Sequence, residues 1–344
     1  MKRSPTDIPR ASKEQVLSAA KLGENEIRFI VSNYYDAQEM RKRSDMQLRH
    51  LGDKCDPDGL LHFWADRQSD LEADILKMLG KYAESRPAGR WMLAQYGVGP
   101  VTAAGILAHV DITKAPTAGH IWRFAGLDSS CEWYGTEKAA KIVREFLGAK
   151  KKPDVDDVMA IAAMTKRRAY TLVKIAMSDR DGNPQPLTTK SLSAALAKRP
   201  YNAQLKQICW HLGECFKRTS HSTQSFYGRI YREHKAVVVA RNERGEYAER
   251  AKVFFTKSAD IRKTLEEGKL PAGNLDSQAT RYAAKIFLSH VHAVMYWDRF
   301  GQAPPKPFAI EILGHADEIK IPGTDLFPGF EVAYYGRGKE RRRA

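Results

Sequence analysis

The sequence predicts a mainly α protein, and three observations carry that prediction. Apolar residues recur at helical spacing along most of the chain. Strand-like alternation is confined to two short stretches, Phe308 to Leu313 and Phe330 to Tyr335. Glycine and proline punctuate Gly97-Val98-Gly99-Pro100 as a tight hairpin between two short helices. The expected architecture is a helix-hairpin-helix core with a helical N-terminal region and a few short strands near the C-terminus.

In order along the chain, residues 13–52 offer Ile27, Ile30, Val31, Tyr34, Tyr35, Met40, Met46 and Leu48 for a buried stripe, which predicts two long helices. Leu51 to Leu61 is rich in turn formers, and an amphipathic helix follows from about Phe63 to Tyr82. Trp91, Met92 and Tyr96 form an apolar face before the hairpin; Val101, Ile106, Leu107 and Val110 form another after it. Lys150-Lys151-Lys152-Pro153 reads as an exposed linker, and Asp154 caps a helical stretch reaching Met177. Helical spacing returns at 187–197, 201–217, 223–239, 247–255 and 275–300. The chain divides on this reading into 1–85, 86–150, 151–307 and 308–344.

The hairpin is the strongest functional signal. Two glycines permit positive φ and leave no side chain between backbone and ligand. Pro100 suits the first position of the next helix, where its missing N–H costs nothing. The unpaired N–H groups of Gly97, Gly99, Val101 and Thr102 then suit a DNA phosphate. The ordinary alternative is an αα-turn with a C-cap glycine.

Charge favours a polyanionic partner. The 344 residues hold 56 Lys+Arg against 41 Asp+Glu, a net charge of +15. The terminal run Gly336 to Ala344 supplies four of those charges and leaves +11 on the rest of the chain. With 43% hydrophobic residues the chain can bury a substantial core. It contains no apolar run of the ~20 residues that a bilayer span needs and no signal-type N-terminal segment, so cytoplasmic residence and no membrane partner are expected. Cys55, Cys131, Cys209 and Cys215 form no CxxC pair, and reduced thiols are expected.

Candidate chemistry concentrates at 198–235. Arg199, Lys206, Lys217 and Arg218 supply positive charge for phosphate or pyrophosphate. Tyr201, Trp210 and Tyr227 are candidate stacking platforms for an extruded base. His211 and Glu214, three apart on one helical face, form a candidate acid-base pair, with Cys215 one turn beyond His211. Arg229, Arg232 and Lys235 belong to a basic-aromatic helix suited to DNA contact, or to a solvated face over buried tyrosines. His290 and His292 are two apart, which argues against shared chelation. No cofactor motif is evident; Asp154, Asp156 and Asp157 are candidate ligands for a divalent cation, against their ordinary role at a helix start. P-loop, Gly-x-Ser-x-Gly and HExxH patterns are absent, which argues against kinases, common serine hydrolases and zinc proteases.

Gly97 to Ala104, followed by Trp122-Arg123-Phe124-Ala125-Gly126-Leu127 and by Lys198 to Lys206, resembles the C-terminal domain of the IS110/IS116 group of transposases. The resemblance implies a helix-hairpin-helix fold and DNA handling. The first 90 residues depart from it, since those transposases begin with an RNase H-like domain carrying acidic metal ligands, and the family's Gly-Asn pair stands here as Tyr201-Asn202. Tyr34-Tyr35, the hairpin, Arg199 to Asn202, Arg281 to Lys285 and Leu313-Gly314-His315 together resemble phage-encoded transposase-like proteins. Some of those belong to pathways of thymine hypermodification, in which an amino acid replaces pyrophosphate on activated hydroxymethyluracil in DNA.

Three functions stay open on the sequence. The first is a DNA base-modifying transferase using His211, Glu214 and Arg199, with double-stranded DNA and a free amino acid as substrates. The second is a DNA-binding protein without chemistry. The third is a recombinase in which Ser191, Ser193, Ser220 or Ser222 attacks DNA.

Overall fold

The computed structural model describes residues 10–52, 56, 59–128, 133–147, 153–160, 166–179, 181–305 and 319–335. Helices dominate them, and no β-strand forms among the described residues. In chain order these are α1 (Lys13–Ser18), α2 (Glu24–Leu51), α3 (Leu60–Glu84), α4 (Pro87–Leu93), α5 (Pro100–His109), α6 (Ala118–Phe124), α7 (Gly135–Leu147), α8 (Val155–Ala160), α9 (Lys166–Ala176), α10 (Thr189–Ala197), α11 (Ala203–Arg218), α12 (Phe226–Glu243), α13 (Ala248–Lys252), α14 (Ala259–Glu266), α15 (Ala272–Phe300) and α16 (Phe330–Tyr335).

Two compact units divide the chain, one made of residues 1–122 and 204–344 and the other of 123–203. These boundaries cut across the four consecutive segments expected from sequence. The smaller unit packs α7 to α10 around Val143, Val158, Leu172 and Leu192. Asp154 and Asp157 each accept the other's backbone N–H, at 2.9 and 2.8 Å, and so start α8 as a reciprocal cap. The Asn202 N–H donates to the Phe124 carbonyl at 2.8 Å, tying together the two chain segments at which this unit begins and ends.

The larger unit is built on an aromatic core. Phe287 of α15 stacks on Trp91 of α4 at 5.8 Å between centroids and meets Phe216 of α11 and the Tyr227 ring of α12 at 5.6 and 4.9 Å. All four rings are almost wholly buried. Small residues let the helices approach: a Cβ on Gly105 of α5 would meet Ile208 of α11, and one on Gly213 of α11 would meet Thr280 of α15. The whole of Ala103–His109 is buried, because α5 lies between the α2/α3 pair and α11.

Several expectations change. Residues 13–52 form a single long helix preceded by a six-residue one and a 3-10 turn, not two long helices. Phe330 to Tyr335 is helical, not a strand. Its apolar residues alternate, yet Phe330 and Tyr334 stand four apart, stack at 5.3 Å and are both buried, which is helical spacing. Phe308 to Leu313, His315, Lys150 to Lys152, Cys55, Cys131 and the tail 336–344 lie outside the described residues.

Candidate nucleic-acid interface

The hairpin residues join α4 to α5 in six positions, Ala94 to Gly99. Gly97 takes φ +92°, the left-handed region that glycine tolerates. Gly99 does not share it: with φ −97° and ψ 173° it is extended and occupies the N-cap position, followed by Pro100 at the first helical position. No side chain caps α5, so the first-turn N–H groups of Val101 and Thr102 stay without an intrahelical acceptor. Gly99 is exposed, and nothing lies within 4 Å of where its Cβ would stand. Backbone can therefore meet a ligand directly there.

The turn is anchored from behind. Val98 is buried and its N–H donates to the Gln95 carbonyl at 3.0 Å. The Trp91 indole N–H donates to the Pro322 carbonyl at 2.7 Å. Gly97 lies beside Thr219 and Phe216, at the C-terminal end of α11. The hairpin therefore neighbours the loop 219–225 and the start of α12, where Arg229 is exposed and lies over the Phe226 ring at 5.2 Å.

A second surface occupies the outward face of α11. Trp210 is 58% exposed and meets His211 edge-on at 4.9 Å. His211 stacks on Tyr35 of α2 at 5.4 Å with the rings 16° apart. Burial, with the charges of Lys42 and Arg218, pushes the His211 imidazole below its ordinary value against the opposing pull of Glu214. The ring is therefore neutral near pH 7 and able to accept a proton. Burial pushes the Tyr35 hydroxyl up to about 12, so it stays protonated. Beside this stack, α2 and α11 line a cleft of about 230 Å³ with Asp36, Glu39, Gln204 and Gln207 at its rim. Sequence reading assigned Tyr35 to a buried stripe; its pairing with His211, 176 positions on, carries no local signal.

The expected residues separate sharply. Tyr227 cannot stack on a base, because it is 1% exposed and its hydroxyl is committed to His290 Nδ1 at 2.7 Å. His290 Nε2–H donates to the Ile319 carbonyl at 3.2 Å, which leaves Nδ1 to accept that hydroxyl proton. His292 instead directs Nε2–H to the Ala115 carbonyl at 2.8 Å, so the two histidines serve different partners. Lys235 is not a free cation: it pairs with Asp276 at 2.8 Å and donates to the Tyr231 hydroxyl at 3.1 Å. Lys217 and Tyr231 bind the same carboxylate. Burial raises the Asp276 carboxyl, but these three donors outweigh it and hold it at about 2. Arg232 donates to the Ser220 carbonyl at 2.9 Å and braces the 219–225 loop.

His211 and Glu214 share α11, yet no hydrogen bond joins them among the described residues, so they are not a preformed acid-base pair. Cys215 accepts from Arg218 Nη2–H at 3.2 Å. Cys209 is buried, and burial pushes its thiol up to about 12, which makes it a small core hydrophobe. Lys206 is exposed on α11. Arg199 and Tyr201 belong to the smaller unit, where the Arg199 guanidinium lies over the Trp133 ring at 4.8 Å. Ser191 closes a capping box with Thr188, Ser193 donates to the Thr189 carbonyl at 2.7 Å, Ser220 is buried, and Ser222 accepts from the Gln224 N–H at 3.3 Å. Among the described residues no group of three or more His, Cys, Asp or Glu is arranged to hold a metal ion, and no helix is long and apolar enough to cross a membrane.

Comparison with family models, with curated proteins and with solved structures finds no match to this chain.

Proposed function

We propose that this chain acts on double-stranded DNA as a base-modifying transferase. The observation that carries the reading is the hairpin: a turn anchored from behind presents uncapped helix N–H groups and the bare backbone of Gly99 at an exposed point. That is the arrangement a helix-hairpin-helix element uses to hold a phosphate. The net charge of +15 supports the same partner.

Trp210 and the His211/Tyr35 stack supply the second half of the reading. An exposed indole can take the face of an unstacked base, and a neutral imidazole beside it can receive a proton. The reaction in view places a free amino acid's amine against the exocyclic methylene of an activated hydroxymethyluracil. The C–N bond forms as the C–O bond to pyrophosphate breaks, and the amine's proton passes to His211. Lys206 and Arg218 are cations on the same helix as this surface. A divalent metal is compatible with the departing pyrophosphate, and no step above requires one.

Nucleoside mass spectrometry of DNA tests this, using a host that supplies the activated pyrimidine. Expression should yield a nucleoside heavier by the incorporated amino acid, and His211→Ala should lower it at least tenfold while duplex binding persists. Unchanged nucleosides together with intact binding would leave the non-catalytic DNA-binding function. A covalent adduct between protein and DNA would instead point to recombination.

A further inference from the structure

Between α13 and α14 the chain makes a turn, residues 253–258, that is fastened by one aromatic ring and leaves another bare. Phe254 packs against the cluster of Val238, Tyr247, Ala251, Leu270 and Leu275, and its N–H donates to the Ala251 carbonyl at 3.1 Å. Two positions on, Thr256 Oγ1 accepts the Ser258 N–H at 3.1 Å. With Phe254 turned inward, its neighbours Val253 and Phe255 face solvent. They are 82% and 85% exposed, the highest values of any large apolar side chain among the described residues.

Cations frame this pair. Residues 250–263 contain Arg250, Lys252, Lys257, Arg262 and Lys263 against the single acid Asp260, and all six are exposed. Lys252 pairs with Glu249 at 2.5 Å, whereas no ion pair engages the other four cations among the described residues. Glu266 and Glu267 stand at the far end of α14, beyond Lys263 from the turn.

Size and sign together select the occupant. Val253 and Phe255 offer on the order of 250 Å² of apolar surface, well short of the ~800 Å² that one partner brings to a standard protein interface. A bilayer holds the whole apolar face of an amphipathic helix, but Leu265 of α14 packs inward on the same cluster as Phe254. One or two apolar side chains among cations are what kinking proteins drive between stacked base pairs, with the cations neutralising nearby phosphates. We propose that the turn 253–258 is a DNA wedge: Phe255, with Val253 two positions before it, enters a base-pair step of a duplex while Arg250, Lys257, Arg262 and Lys263 take the flanking phosphates. This inference rests on the DNA reading above and adds a bend to it. Val238 of the anchoring cluster stands 12 residues beyond Phe226, roughly 18 Å along α12 or about five base-pair steps, so a duplex longer than this is needed to probe hairpin and wedge together.

Fluorescence energy transfer between dyes at the two ends of a duplex of about 30 base pairs, with the full-length chain at saturation, tests the wedge. Wild type should bring the ends closer. Phe255→Ala should abolish that approach and weaken binding severalfold, with an unchanged thermal midpoint because the ring is exposed. Phe255→Leu, an apolar wedge of another shape, should restore the bend. Lys257→Ala should lower the salt slope of affinity by about one and leave bending at saturation intact. Binding without bending by wild type, or bending that survives Phe255→Ala, would overturn the wedge and leave the DNA reading standing. An absence of duplex binding would overturn both. Phe255-dependent capture on phosphatidylserine vesicles without any bending of DNA would assign the turn to an anionic membrane surface and also overturn the wedge.

Discussion

Helices α11 and α12 read alike in sequence, each bearing aromatic rings, a histidine and several cations, yet they hold opposite positions in the fold. α11 leaves Trp210 exposed and keeps His211 half-buried against Tyr35. α12 commits Tyr227 to the aromatic core, Tyr231 and Lys235 to Asp276, and Arg232 to Ser220. The cause lies in what each helix faces. α12 packs along α15, whose His290 and Asp276 require hydroxyl and ammonium partners once they are buried or half-buried. A basic-aromatic helix thus becomes scaffold or surface according to its neighbour, and its own composition does not decide which.

The largest expected effect breaks the comparison directly. Tyr227→Ala removes a fully buried ring and leaves His290 Nδ1 without its donor, and should cost about 3–5 kcal/mol of stability. Trp210→Ala should stay within about 0.5 kcal/mol, because its ring is largely in solvent. Urea unfolding of both variants checks this, and equal losses would put Trp210 in the core. In DNA binding the order should reverse, with Trp210→Ala weakening capture of an unpaired base by about 1–3 kcal/mol in a fluorescence titration.

Acid provides the next test of α12 and α15 as scaffold. Burial holds His290 at about 4 in the fold, below the ordinary 6.5, so the folded state favours the neutral ring. Its contribution is fully present above pH 6.5 and is lost as pH falls from there to about 4, by about 3 kcal/mol, with no further loss below. His109, held at about 4 by burial, and His292, also lowered by burial, act in the same direction. His290→Gln should therefore reduce, without abolishing, the slope of stability against pH between 6.5 and 4. An unchanged slope would mean that the Tyr227–His290 contact is open to protonation in the folded protein.

The helices were legible because their signals are local. Apolar spacing located α3, α11, α12 and α15 to within a few residues, and Gly-Pro punctuation located the start of α5. Asp276 was not legible, since its partners lie 59, 45 and 41 positions away and a single acid in an apolar helix carries no pattern. The same holds for Tyr35 against His211. Nor does any local signal mark residues 123–203 as a unit set between two halves of another, because a tie that joins its ends, the backbone hydrogen bond from Asn202 to Phe124, links residues far apart in the chain. Phe330 to Tyr335 failed for a different reason: six residues are too few to separate alternation from an i, i+4 pair.

The smallest effect is the most discriminating, because it separates folding from binding within three residues. Gly97 sits at φ +92°, and Gly97→Ala should cost about 1 kcal/mol of stability through backbone strain alone. Gly99 has an ordinary extended φ and open space at its Cβ, so Gly99→Ala should leave stability unchanged within about 0.5 kcal/mol. Its added methyl would nevertheless stand where a phosphate must reach the first-turn N–H groups of α5. Duplex affinity, measured by fluorescence anisotropy at fixed ionic strength, should then fall several-fold for Gly99→Ala with no change in unfolding midpoint. Unchanged affinity in that variant would make the hairpin a structural αα-turn, and would move the DNA contact to the cations of α11 and to Arg229.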